Sequence, residues 1–271
     1  PFGIAVSTGD AVYATRLDAS AVIRLDPVTA DSVAGVAVGA APTDVTFNTA
    51  GTRAYVTNQW SQSISVIDAA TDVELQRISV PADPYIVALA PGDSILYVSA
   101  NSARTYVIRL ASGAIIDSLP TGINFAVAVR DTLLYVGLPL NGRVDVYDRR
   151  TRALVRTLAT GGRPAGMAFS AAGDVLYVAD EYGGLQRWAT ATGTSLGTVT
   201  LSPVGVLGVA VQPGTGLVFA GGLQDVVHVV DPVTGTVQRV MRVGGAPRRI
   251  AFRANGDAFV ANEAGWVDKL R

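Results

Sequence analysis

The chain has 271 residues, of which 49% are hydrophobic and 16% charged, and its formal net charge is −1. That is enough apolar side chain for a large core, while the near-neutral balance creates no field that draws nucleic acid or an anionic membrane. Cysteine is absent, which excludes disulfides, thiolate metal sites, a cysteine nucleophile and haem attachment through C-x-x-C-H.

Charged residues fall below the roughly 25% of typical soluble chains, and Lys269 is the only lysine. No apolar run approaches the ~20 residues of a membrane span. The chain starts at Pro1 rather than Met, so it is expected to be processed, trimmed or incompletely covered, with any signal peptide upstream.

An internal repeat dominates the sequence. An aromatic-apolar core recurs at Tyr13, Tyr55, Tyr97, Tyr135, Tyr177, Val218 and Phe259, so successive anchors lie 42, 42, 38, 42, 41 and 41 residues apart. Each copy opens with an apolar strand after a Gly/Pro corner: 3–6, 43–47, 85–89, 125–129, 166–169, 207–211 and 249–252. A tight turn carrying Gly, Asp or Asn follows, with Asp10, Asp93, Asp174 and Asp257 in or beside it. The anchor strand comes next, then a third strand with period-two alternation such as 64–67, 144–147 or 227–230. A turn such as Asp231-Pro-Val-Thr-Gly235 leads to a fourth strand such as 74–78, 154–158 or 237–240.

Four antiparallel strands per ~40 residues predict a propeller blade. The expected fold is all-β: one seven-bladed β-propeller domain over 1–271, with blades at 1–38, 39–80, 81–119, 120–160, 161–201, 202–243 and 244–271. Six copies carry four strands and the last only three, giving twenty-seven.

Tyr55-Val56-Thr57-Asn58 spells the motif of the YVTN family of β-propeller repeat proteins, and Phe259-Val260-Ala261-Asn262 is a near match. The chain resembles that family over its whole length, Asp231–Gly235 included. The resemblance implies an exported protein, periplasmic or at the cell surface, with binding or scaffolding roles. Wider relatives include lactonases and nitrite-reductase haem domains, but no lactonase site set matches residue by residue.

The missing fourth strand makes Trp266, Val267, Asp268, Lys269 and Leu270 a candidate strand-pairing edge, for residues upstream of Pro1 or for another chain.

Catalytic motifs are weak. Gly193-Thr-Ser-Leu-Gly197 matches G-x-S-x-G, but that elbow needs a strand-to-helix turn, and here the third-to-fourth strand turn is expected. His228 is the only histidine, sitting at an alternate strand position where other copies carry Ser65, Asp145 and Asp268. The turn aspartates read as caps rather than calcium ligands, which must converge within one loop. No phosphate-cradling loop appears. The cluster Arg149, Arg150, Arg152 and Arg156 lacks a stacking aromatic, so no nucleic-acid binding is expected. No cofactor or metal is expected.

Loops carry function more readily than packed strands. The loops between second and third strands, with those leading into each blade, bring together Asn58, Gln59, Trp60, Tyr85, Arg104, Arg143, Glu181, Tyr182 and Arg248 as a candidate partner-binding rim. Trp, Tyr and Arg are enriched at binding hot spots, and mixed charge suits a protein partner. The expected function is therefore a non-catalytic exported binding or scaffold protein, an accessory subunit of a larger envelope or membrane-associated complex. The alternative is a lactonase-like hydrolase with its site at the axial channel.

Overall fold

Apolar, β-branched runs broken by turns with positive φ favour short strands over helices. The computed structural model describes residues 1–182, 184–201 and 205–271. Among these it has twenty-seven strands and no helix. The architecture is an all-β, seven-bladed β-propeller: six four-stranded antiparallel sheets and one of three strands. The blade boundary expected at 202 lies outside the described residues. The chain divides into two compact units, Pro1–Val129 and Arg130–Arg271.

In the first unit, one sheet runs β1 (Ile4–Val6), β2 (Val12–Arg16), β3 (Ala21–Leu25), β4 (Ser32–Ala37). The second runs β5 (Pro42–Phe47), β6 (Arg53–Asn58), β7 (Ser63–Asp68), β8 (Val73–Ser79). The third runs β9 (Pro84–Leu89), β10 (Ile95–Ala100), β11 (Thr105–Arg109), β12 (Ala114–Leu119). First strands neighbour one another, β1 beside β5 and β5 beside β9. Facing sheets bury Tyr13, Val45, Val56 and Ile67 in one layer and Tyr55, Ile64, Leu96 and Ile108 in the next. The second strands are thus covered on both faces, which accounts for their near-continuous apolar sequence.

The fourth sheet is β13 (Ala126–Arg130), β14 (Leu133–Leu138), β15 (Arg143–Asp148), β16 (Leu154–Ala159). In the second unit follow β17 (Pro164–Phe169), β18 (Val175–Asp180), β19 (Gly184–Ala189), β20 (Ser195–Val199). The sixth sheet is β21 (Val206–Val211), β22 (Val218–Gly222), β23 (Val226–Val230), β24 (Val237–Arg242). The seventh is β25 (Pro247–Phe252), β26 (Ala258–Asn262), β27 (Val267–Leu270), the three-stranded one. First strands again neighbour, β17–β21–β25, and the layers pack Tyr177, Leu185 and Val218, then Phe219, Val229 and Val260.

Three of the four turn aspartates engage specific partners. Asp93 takes the backbone N–H and hydroxyl of Thr49, both at 2.9 Å, and Asp174 takes the Ser170 hydroxyl at 2.6 Å. Asp257 pairs with Lys269 Nζ at 3.1 Å. Among the described residues no group of three or more His, Cys, Asp or Glu is placed to hold a metal. The Gly193–Gly197 turn runs into strand β20 rather than a helix, and the Ser195 hydroxyl accepts the N–H of Gly197 at 3.3 Å.

Candidate functional site

Corners between second and third strands repeat one local design. In three blades the second strand ends on an amide or carboxylate that is fully buried: Asn58, Asp180 and Asn262. Asp180 Oδ1 accepts the backbone N–H of Arg163 and of Tyr182, each at 2.9 Å, and Oδ2 accepts Gln186 Nε2 at 3.2 Å. Asn262 Oδ1 accepts Ala246 N–H at 2.9 Å and Ala264 N–H at 3.1 Å. Asp180 and Asn262 thus tie the loop leading into their blades to the corner beyond, whereas Asn58 bonds third-strand Ser63 and Ser65 and its buried Oδ1 has no hydrogen-bond partner among the described residues. The leading loop must come close to do this. A Cβ added at Gly162 or Gly245 would overlap the Oδ1 of Asp180 or Asn262. The Gly-Gly before Arg163-Pro164 and Ala246-Pro247 is therefore a packing requirement.

At the Tyr182 corner this anchoring fixes the backbone, while before Leu140 the second strand ends on Leu138 instead. Two residues past the end of β6 stands Trp60, past β14 Leu140, and past β18 Tyr182. They are 74%, 67% and 73% exposed. Three large apolar side chains are thus held outward at equivalent places of three blades, on backbones fixed by hydrogen bonds. The backbone at Trp60 donates to Ala40 O at 3.2 Å.

In the second unit two such corners flank a groove of about 600 Å³, lined by Pro139, Leu140, Asn141, Gly142, Gly161, Gly162, Arg163 and Tyr182. Its floor is backbone: the N–H of Gly161 donates to Gly142 O at 2.8 Å. Its polar wall is Arg163, whose Nη1 lies 3.1 Å from Glu181 Oε2 and 3.3 Å from the Tyr182 hydroxyl. The guanidinium also sits 5.6 Å from the Tyr182 ring centre, a cation–π distance. The groove therefore combines an aliphatic wall, an aromatic wall and a neutralised arginine, which suits an apolar side chain flanked by main-chain polar groups.

The remaining sequence candidates divide. Gln59 and Glu181 are half-buried beside their exposed neighbours. Asn58 is enclosed rather than presented, giving Nδ2 to Ser63 Oγ at 3.2 Å and Ser65 Oγ at 2.8 Å. Tyr85 is half-buried between Phe2, with ring centres 5.6 Å apart, and Phe125 at 4.9 Å. Arg104 is exposed and donates to Ser118 Oγ at 2.8 Å. Arg143 pairs with buried Asp145 at 3.1 Å and Arg248 with Glu263 at 2.7 Å. Leu140 is the rim residue that sequence reasoning missed. The signal was available: it stands five residues after its anchor Tyr135, as Trp60 and Tyr182 do after Tyr55 and Tyr177.

His228 is 9% exposed and cross-strand from Ala220. Burial depresses its pKa below the usual imidazole range. It lines a small cleft with Gly205, Gly221, Gly222 and Gln224 that contains no acidic side chain.

No protein-family model matches the chain, and no curated protein does. Among solved structures it is similar to a chain described as Kuenenia stuttgartiensis Hydrazine Synthase, with TM-score 0.89 and 18% identity, over 100% of this chain and 95% of that one. At that identity the likeness shows the propeller fold alone. With 1845 solved chains matching, the fold by itself selects no function.

Proposed function

We propose that the protein is a non-catalytic binding or scaffold protein whose propeller corners dock a protein partner, as a component of a larger assembly. The observation that carries this reading is the outward placement of Leu140 and Tyr182 on either side of the groove, with Trp60 at the equivalent corner of its own blade. Large apolar groups held in water on a fixed backbone cost little further ordering on binding, and aromatic anchors in such pockets carry most interface energy. Kinship with YVTN-repeat propellers belongs to the same proposal and is supported by Tyr55–Asn58. So does a location outside the cytoplasm, which rests on that resemblance.

The test is site-specific photo-cross-linking in the native host. A photoreactive residue at position 140 or 182 is expected to capture one defined polypeptide, and the same residue at Val73, exposed on fourth strand β8, is not. Equal or absent capture at all three positions, together with turnover of a lactone by the purified chain, would replace this reading with the hydrolase alternative.

A further inference from the structure

Glycine follows asparagine twice in this chain, at Asn141-Gly142 and Asn255-Gly256. The pair has a chemistry of its own. The backbone nitrogen after an asparagine can attack the side-chain amide carbon, and glycine puts no Cβ in the way. Both asparagines are exposed, so exposure does not separate them. Hydrogen bonding does.

At the second pair the reacting groups are engaged. Gly256 N–H donates to Arg253 O at 3.0 Å, which ties up the attacking nitrogen. Asn255 Oδ1 accepts Asp257 N–H at 3.1 Å, and its Nδ2 donates to Asp257 Oδ2 at 3.3 Å. That side chain is held forward, toward the residue beyond the glycine.

At the first pair both groups are free. No described residue accepts Gly142 N–H, and none bonds the Asn141 side-chain amide. The bonds that fix this corner use other atoms: Asn141 N–H donates to Leu138 O at 3.0 Å, and Gly142 O accepts Gly161 N–H at 2.8 Å. The turn accounts for the glycine. Gly142 has φ +59°, and Gln62, at the same place in the second blade, has φ +48°. Glycine adopts this left-handed backbone without steric cost.

We propose that Asn141 is a self-modification site that converts to aspartate or isoaspartate in the folded protein. Gly142 N bonds to Asn141 Cγ, the Cγ–Nδ2 bond breaks, and ammonia leaves with the proton lost by the nitrogen. Water then opens the five-membered imide at either carbonyl. Water is the only co-reactant, and nothing is oxidised or reduced. The product carboxylate enters the groove that Asn141 lines together with Arg163 and Tyr182. Glu181 already matches the charge of Arg163 at 3.1 Å, so the wall turns acidic. Isoaspartate also lengthens the main chain by one carbon between the two bonds that hold the corner. An effect on docking rests on the reading of the groove given above. The modification itself does not, so either can fail alone.

The test is peptide mapping by mass spectrometry of the full chain aged in mildly alkaline buffer, folded and in urea. The unfolded chain gives each asparagine its intrinsic rate. In the folded chain the peptide carrying Asn141 is expected to change from amide to acid, faster as pH rises, and to split into aspartate and isoaspartate forms. Measured against its intrinsic rate, Asn255 should lag Asn141 by about tenfold or more, the factor expected when hydrogen bonds of ordinary strength must open first. Asn141→Ser, which places there the residue found at Ser61 in the second blade, should remove the main acidic species seen by isoelectric focusing. Three results would overturn the proposal: Asn141 intact in the folded chain when the unfolded chain has converted, Asn255 converting as fast as Asn141 in the folded chain, or the acidic species forming undiminished in Asn141→Ser.

Discussion

The guanidinium carbon of Arg163 lies 5.6 Å from the ring centre of Tyr182, and both residues have their backbone N–H on one oxygen of Asp180. One buried carboxylate thus sets the polar and aromatic walls of the groove at once. The groove is built by strand-end chemistry in β18 and by the glycines that let the leading loop approach it.

Because Leu140 and Tyr182 are exposed, their truncation should separate binding from folding. Leu140→Ala and Tyr182→Ala are expected to leave the thermal midpoint nearly unchanged, within about 0.5 kcal/mol in stability. Each should weaken association with the cross-linked partner by about tenfold or more, as loss of a central anchor does. Calorimetry and affinity on the same preparations check both halves. A large fall in midpoint would make these side chains structural.

Asp180→Ala should behave in the opposite way. It strands the N–H groups of Arg163 and Tyr182 and the Nε2 of Gln186, which also bonds Thr160 O at 2.8 Å. Leaving such donors unpaired in a buried site costs about 3 kcal/mol. Asp180→Asn should cost less, since its amide oxygen still accepts both N–H groups, although its NH2 then meets the Gln186 donor. Denaturant midpoints rank the three proteins, and a harmless alanine would refute the anchoring role.

The blades were readable in the sequence because each strand carries its own apolar pattern and each turn its own Gly, Asp or Asn. All seven expected first strands lie within about a residue or two of the observed ones. The site was less readable. Asn58 looks like a loop polar group, and only the close approach of Gly39, whose added Cβ would lie 2.7 Å from the Asn58 side chain, shows that the leading loop covers it. Tyr85 looks like a rim aromatic, but its partners Phe2 and Phe125 come from other copies. Leu140 carries no chemistry of its own and stood out only once its exposure was known.

Three third-to-fourth strand turns make a pH prediction. Asp68, Asp148 and Asp231 each accept, on Oδ1, the N–H groups two and three residues on. The N–H three residues on is the main cause holding each carboxyl below its usual range. A depressed folded pKa gives stability that is present above the unfolded value of about 3.9 and is lost as pH falls through the folded value. Melting temperature should therefore decline below about pH 4. Asp148→Asn keeps the acceptor but removes the proton, so it should match the unaltered protein at pH 7 and decline less steeply in acid. An unchanged acid limb in the Asp68, Asp148 and Asp231 triple asparagine variant would refute the linkage.

The first anchor, Tyr13, is fully buried, and its hydroxyl donates to Asp72 Oδ1 in the β7–β8 turn. Arg24 Nη1 holds the other oxygen of Asp72 at 3.0 Å. This links the first two blades through a residue whose own φ is +58°. Burial first, and then the Asp72 bond, push the Tyr13 phenol pKa above its usual value. A raised folded pKa means stability fully present below the unfolded value of about 10, and lost as pH climbs through the folded one. Tyr13→Phe should cost about 1 kcal/mol at pH 7, because Asp72 keeps Arg24 and some water. It should also soften the alkaline decline only in part, since burial likewise raises Tyr55, Tyr135, Tyr147 and Tyr177. The pairing with Arg24→Met is the sharper measurement. Asp72 shared by both partners predicts non-additive losses in a double-mutant cycle, and strictly additive losses would mean that Tyr13 stabilises the blade junction through its ring alone.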